Sequence, residues 1–139
     1  MTWRLEHIAE PGEHDRAAIL APLRAFNRAA AGDPQTRHIA IRLADDKGIG
    51  EGGLWARIGY GWMFIELLGL PDAARGVGLG TALMAEAEAI ARDAGCTGLW
   101  LDTYDFQARG FYEKLGFVVF GAIDDYPPGH ARFFMQKRF

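Results

Sequence analysis

The chain has 139 residues, half of them apolar and 24% charged, with a formal net charge of −3. That composition fits one globular domain over residues 1–139, burying about two-thirds of its unfolded surface, and excludes a disordered chain. The acidic balance, without any run of Lys and Arg, excludes a basic nucleic-acid footprint.

Cys96 is the sole cysteine, so neither an intrachain disulfide nor a multi-cysteine metal site can form, and no histidine has metal-ligand spacing. A reducing, cytoplasmic setting is the expectation. No segment approaches the ~18 uninterrupted apolar residues of a membrane span, and the charged N-terminus does not read as a signal peptide. A soluble protein without a membrane partner is therefore expected.

Residues 2–8 alternate and read as a first strand, broken by Pro11-Gly12. From 13 to 31, Ile19, Leu23, Phe26 and Ala30 fall at helical spacing, and Pro22 predicts a kink or two short helices. Strands are expected at 38–44, 51–59 and 62–70, joined by turns at 45–48 and 59–61. The last of these, WMFIELLGL, is nearly all apolar and belongs in the middle of a covered sheet.

The periodic run 78–94 predicts the clearest helix, with Glu88 paired to Arg92 and Gly95 ending it. A strand at 97–104, a short helix at 108–115 and a closing strand pair at 117–123 and 131–137 complete the chain. A strand–helix–strand crossover requires parallel neighbours, whereas the short turns require antiparallel ones. The fold class is α/β with a mixed sheet of six to seven strands and about four helices.

Arg75-Gly76-Val77-Gly78-Leu79-Gly80 lies between the buried strand and the best helix. A helix start offers unpaired N–H groups and partial positive charge, and glycines let an anion approach that backbone. Arg75 can add a charge-assisted bond. A P-loop would need Lys after the last glycine, and a Rossmann fingerprint needs its third glycine where Thr81 or Leu83 stands. Both are excluded.

These residues resemble the GNAT superfamily of acyl-CoA-dependent N-acyltransferases, whose first signature reads Gln/Arg-x-x-Gly-x-Gly/Ala. A second signature follows in order, as Asp105-Phe106-Gln107-Ala108 and then Phe111-Tyr112-Glu113-Lys114-Leu115-Gly116-Phe117. Asp105 departs from the family's usual asparagine; it can cap the helix but cannot donate an amide bond to pantetheine. The resemblance implies a V-shaped gap between splayed fourth and fifth strands, 62–70 and 97–104, holding acetyl-CoA. It implies cofactor contacts at Leu68, Leu70, Arg75, Gly76, Val77, Gly78, Gly80, Thr81, Asp105, Ala108, Phe111, Tyr112 and Lys114, and no metal.

It further implies acetyl transfer to a primary amine of a small molecule or peptide by direct attack in a ternary complex. A backbone N–H near Leu70 would polarise the thioester, and Tyr112 stands where family members carry the acid for the leaving thiolate. Glu66, the one charged residue in WMFIELLGL, is the candidate base, with Asp102 or water in reserve. The alternatives are that Tyr112 is a core aromatic, that Glu66 is a structural or solvent-facing acid, and that the chain is a catalytically silent acyl-CoA-binding module.

Cys96 reads as a structural thiol. The stretch 124–130 is either a lure for cationic amines or a solvated turn, and Trp55, Tyr60, Trp62 and Phe64 are either core or acceptor-pocket aromatics. A homodimer suits the architecture, though no residue specifies one.

Overall fold

The computed structural model describes every residue, Met1–Phe139, and divides into two units, Met1–Pro34 and Gln35–Phe139. The first contains one helix, α1 (Glu13–Ala31). The expected strand at 2–8 is not formed: those residues join no ladder. Alternation marks a segment able to lie in a sheet, but a strand exists only where a neighbour takes its N–H and C=O groups.

Pro22 lies inside α1 without ending it, so of the two expected outcomes the split into two short helices is absent. Strong helix formers surround it, Leu20 and Ala21 before and Leu23, Arg24 and Ala25 after, and both ends are secured. Asp15 Oδ2 accepts the Gly12 N–H at 2.8 Å, and the Gly32 N–H donates to the Arg28 carbonyl at 2.9 Å. Good intrinsic propensity and two capped ends carry the helix across one missing hydrogen bond.

The second unit is a six-stranded mixed sheet with two α-helices. Its strands are β1 (Arg37–Asp45), β2 (Gly48–Gly59), β3 (Trp62–Gly69), β4 (Gly98–Tyr104), β5 (Val118–Asp124) and β6 (Ala131–Arg138); α2 (Leu79–Asp93) and α3 (Arg109–Lys114) flank β4 in sequence. The spatial order is β1-β2-β3-β4-β6-β5. Only β3 and β4 run parallel, as their crossover through α2 requires. The molecule therefore has three α-helices and a 3-10 turn at Asp72–Ala74, against the four helices expected.

Helix α2 lies across β2, β3 and β4. Its residues Leu83, Met84, Ala87 and Ala91 are buried with Met63 and Ile65 of β3 and Leu99 and Leu101 of β4. Glu88 on its outer edge bonds Arg92 at 3.3 Å and Lys137 of β6 at 2.6 Å. Burial raises the Glu88 carboxyl, but hydrogen bonds from Lys137 and Arg92 outweigh it and leave it below its ordinary value. A helix held this firmly gives its N-terminus a fixed position beside the end of β3.

Candidate active site

Strands β3 and β4 pair from Trp62↔Gly98 to Ile65↔Leu101 and no further. The cause is on β3. Its register with β2 steps from Ile65↔Ala56 to Leu67↔Trp55, which leaves Glu66 as an extra residue in a β-bulge. A bulge bends its strand and increases the twist. Beyond it β3 stays with β2, through Leu68↔Leu54, while β4 stays with β6, through Tyr104↔Arg132.

The parted ends leave a cleft of about 740 Å³, lined among others by Leu68, Leu70, Gly80, Gln107, Phe111 and Tyr112. On its β4 side, the β3 backbone past Ile65 has no partner strand.

The start of α2 opens into this cleft. Gly78 takes a left-handed conformation (φ 83°) that residues with a Cβ adopt only under strain, and so turns the chain into the helix. The first helical bond runs from the Ala82 N–H to the Gly78 carbonyl at 3.0 Å, which leaves the N–H groups of Leu79, Gly80 and Thr81 free of helical partners. No acid lies in that first turn. Gly80 is buried, and a Cβ there would stand 3.3 Å from the Phe111 ring. A helix start with free N–H groups and no acid can take an anion, and its open glycines leave room for a phosphate.

Not every residue predicted for the site faces the cleft. Leu68, Leu70, Arg75, Gly80, Ala108, Phe111 and Tyr112 line it, as do Glu66 and Asp102. Gly76, Val77, Gly78 and Thr81 belong to the loop and first turn beside Gly80, and Lys114 is exposed on the last turn of α3. Arg75 donates through Nε to the Leu70 carbonyl at 3.3 Å and lies 3.6 Å from Asp72, so it also ties the end of β3 to the loop.

Asp105 caps no helix, contrary to expectation: the α3 N-cap is Ala108, without a side-chain bond. Its carboxylate instead takes His130 Nδ1 at 2.8 Å and the Ala131 N–H at 3.0 Å, anchoring the β5–β6 loop.

Tyr112 is 8% exposed, between Phe111 and Phe117. Its hydroxyl has no protein partner and is not sealed in the core, so it opens to the cleft. Burial first, and the Asp102 charge second, push the phenol above its ordinary value of 10.0. Glu66 is exposed, which answers why an acid is tolerated in so apolar a strand: it alternates away from the buried Met63 and Ile65, and the bulge leaves it unpaired with β2. Asp102 is paired with Arg132 at 2.7 Å and so is less free to act as a base.

Cys96 is buried outside the cleft, and burial raises its thiol. Trp55, Tyr60, Trp62 and Phe64 do not line the cleft; Trp55 stacks on His38 and Phe64 on Trp100.

Gln107 was not singled out in the sequence. Its Oε1 accepts the Tyr104 N–H at 2.8 Å and the Thr103 hydroxyl at 3.1 Å. A backbone N–H can only donate, so the amide orientation is settled and the NH₂ is the group left over at the cleft. Gln107 thus presents the amide donor that Asp105 lacks. The only hint in the sequence was its place two residues after the departing aspartate.

Sequence comparison matches the acetyltransferase (GNAT) family over residues 3–117. Acetyltransferase Atu2258 of Agrobacterium fabrum is 36% identical over 122 residues, 88% of this chain and 89% of that protein. Blasticidin-S acetyltransferase of Streptomyces morookaense is 39% identical over 117 residues, 83% of this chain and 86% of that protein. The crystal structure of an acetyltransferase from Bacillus cereus covers 96% of this chain and 98% of its own, with a TM-score of 0.86 at 27% identity. With a family match that includes the glycine loop, the cleft and Tyr112, and relatives of this identity along most of their length, the chain belongs to the acetyltransferase (GNAT) family.

Proposed function

We propose that this chain acts as a single domain that binds acetyl-CoA in the β3–β4 cleft and transfers the acetyl group to a primary amine of a small molecule. The observation that carries the reading is the junction of three features: parted parallel strands, an acid-free helix start with free N–H groups, and a tyrosine hydroxyl between them. The match to the family runs from residue 3 to residue 117, which supports one functional domain. A related protein is named for an antibiotic substrate, blasticidin S, which supports a small-molecule acceptor.

In this reading the pyrophosphate sits on the N–H groups of Leu79, Gly80 and Thr81. The pantetheine arm lies against the unpaired side of β3, as an added strand would, with the Gln107 NH₂ donating to one of its carbonyls. A backbone N–H of the Leu68–Leu70 segment polarises the thioester carbonyl. The amine nitrogen bonds to the carbonyl carbon, the carbon–sulfur bond breaks, and the amine gives up a proton to Glu66 directly or through water. The departing sulfur meets the Tyr112 hydroxyl.

Acetyl-CoA-dependent thiol release, measured with a panel of primary amines, tests this function. Turnover with at least one amine, together with heat protection by acetyl-CoA but not by NAD, is the expected result. Protection without any turnover identifies a silent binding module instead.

Two substitutions test the parts. Gln107→Glu keeps the acceptor for the Tyr104 N–H and removes the donor, so KM for acetyl-CoA should rise about fivefold to tenfold, the scale of one hydrogen bond. An unchanged KM removes Gln107 from the binding site. Glu66→Gln should lower kcat/KM about tenfold to a hundredfold and flatten the acid limb of the pH–rate profile. An unaltered profile transfers the base role to water.

A further inference from the structure

A second concavity of about 500 Å³ adjoins the cleft, lined by Tyr104, Phe106, Asp125, Tyr126 and Pro127. Tyr104 and Phe106 line both spaces. The three rings are nearly parallel: Tyr104 stacks on Phe106 at 5.1 Å and 11°, and on Tyr126 at 5.7 Å and 22°. Phe106 is 58% exposed and Tyr126 40%, so this aromatic surface is left open to solvent.

Asp125 adds a carboxylate to the rim. The neighbouring basic side chains are already engaged. Arg132 is bound to Asp102 at 2.7 Å, donates to the Tyr126 hydroxyl at 2.9 Å and lies over the Tyr126 ring, 5.0 Å from its centroid, and the His130 ring is bound to Asp105 at 2.8 Å.

We propose that this concavity is an acceptor subsite for amines that carry a second, flat cationic group, a guanidinium or amidinium, held by Asp125 and by the exposed ring of Phe106, with Tyr126 as its further wall. The proposal rests on the acetyl-transfer reading above. Exposed aromatic faces attract cations through their negative π surface, and a planar cation stacks on them as an ammonium cannot. The carboxylate supplies paired acceptors for its N–H groups. The shared wall of Tyr104 and Phe106 places a bound acceptor next to the cleft, so an amine on its far end can reach the thioester. The pairing of Arg132 with Asp102 matters here, since an uncompensated cation on this wall would repel such a ligand.

The test uses two acceptors of matched size and flatness, 4-(aminomethyl)benzamidine and the uncharged 4-(aminomethyl)benzamide, with the parent protein and Asp125→Asn. Asparagine suits the left-handed backbone at this position (φ 57°) and retains an oxygen for the Gly129 N–H, so the loop keeps its shape. The parent should favour the amidine in kcat/KM about tenfold, the scale of one charge-assisted contact. Asp125→Asn should erase that preference while KM for acetyl-CoA stays the same.

A parent without the preference, or a preference that survives in Asp125→Asn, overturns the subsite and leaves acetyl transfer standing. If no amine is acetylated, the functional reading fails on its own, and an NMR titration with benzamidine still decides the cation site. Shifts at Tyr126 and Phe106 in the parent that vanish in Asp125→Asn support it, and equal shifts in both proteins overturn it.

Discussion

A Gly80→Val protein is expected to keep its fold and bind acetyl-CoA about a hundredfold more weakly than the parent, because several charge-assisted bonds to one anion are lost together. Gly80 is the buried second residue of α2, where the free N–H groups converge. An added Cβ would meet the end of the Phe111 ring at 3.3 Å and the Leu70 side chain at 3.6 Å. These are side-chain atoms that can give by a few tenths of an ångström, so the stability cost should be about 1–2 kcal/mol.

Valine's two methyls add bulk beside the free N–H groups of the first turn and should hold an anion off that backbone. Isothermal titration with acetyl-CoA, beside a thermal melt of the free protein, separates the two effects. Gly80→Ala should fall between parent and valine. A valine variant that melts near the parent and binds within twofold of it would remove the first turn of α2 from the phosphate site.

Much of this site was legible in the sequence because its elements are local. A glycine run before a periodic helix, and FYEKLGF with its buried Tyr112, need only neighbours in the chain to read. What escaped depends on distant partners. The bulge at Glu66 is a property of two strands, since only the step in β2 pairing between Ala56 and Trp55 makes Glu66 an extra residue. Simple alternation would put it on the face of Leu68 and Leu70, and a single inserted residue breaks that alternation.

Asp105 and His130 are 25 residues apart, and nothing local tells an aspartate that it will anchor a loop rather than cap a helix. Arg132 and Asp102, 30 residues apart, were hidden for the same reason. Residues 2–8 failed in the opposite direction, with a clear local pattern and no partner strand.

Tyr112→Phe should lower kcat about a hundredfold, the lower range for loss of one hydrogen-bond donor to developing charge, while KM for acetyl-CoA stays within about twofold. The ring is packed by Phe111 and Phe117, contacts that phenylalanine preserves. The hydroxyl is what is removed, and it faces the cleft without a protein partner.

The raised phenol narrows what that hydroxyl does. A tyrosine above its ordinary value of 10.0 is a weaker acid than a free phenol, and a thiol titrates near about 8.5. Full transfer from Tyr112 to the departing sulfur would therefore be uphill by more than about 2 kcal/mol. A hydrogen bond to the developing negative charge carries no such penalty, with solvent completing the protonation.

The sign follows for the pH profile. The folded phenol holds its proton at every pH below its raised value, so Tyr112 contributes no loss of rate up to about pH 10. Above that the unfolded chain releases this proton more readily than the folded one, and the stability it contributes is lost. Parent and Tyr112→Phe should thus differ by a constant factor from about pH 6 to pH 10. A gap that closes well below pH 10 would mean that Tyr112 ionises during turnover, and equal kcat in the two proteins would leave Tyr112 as a packing residue.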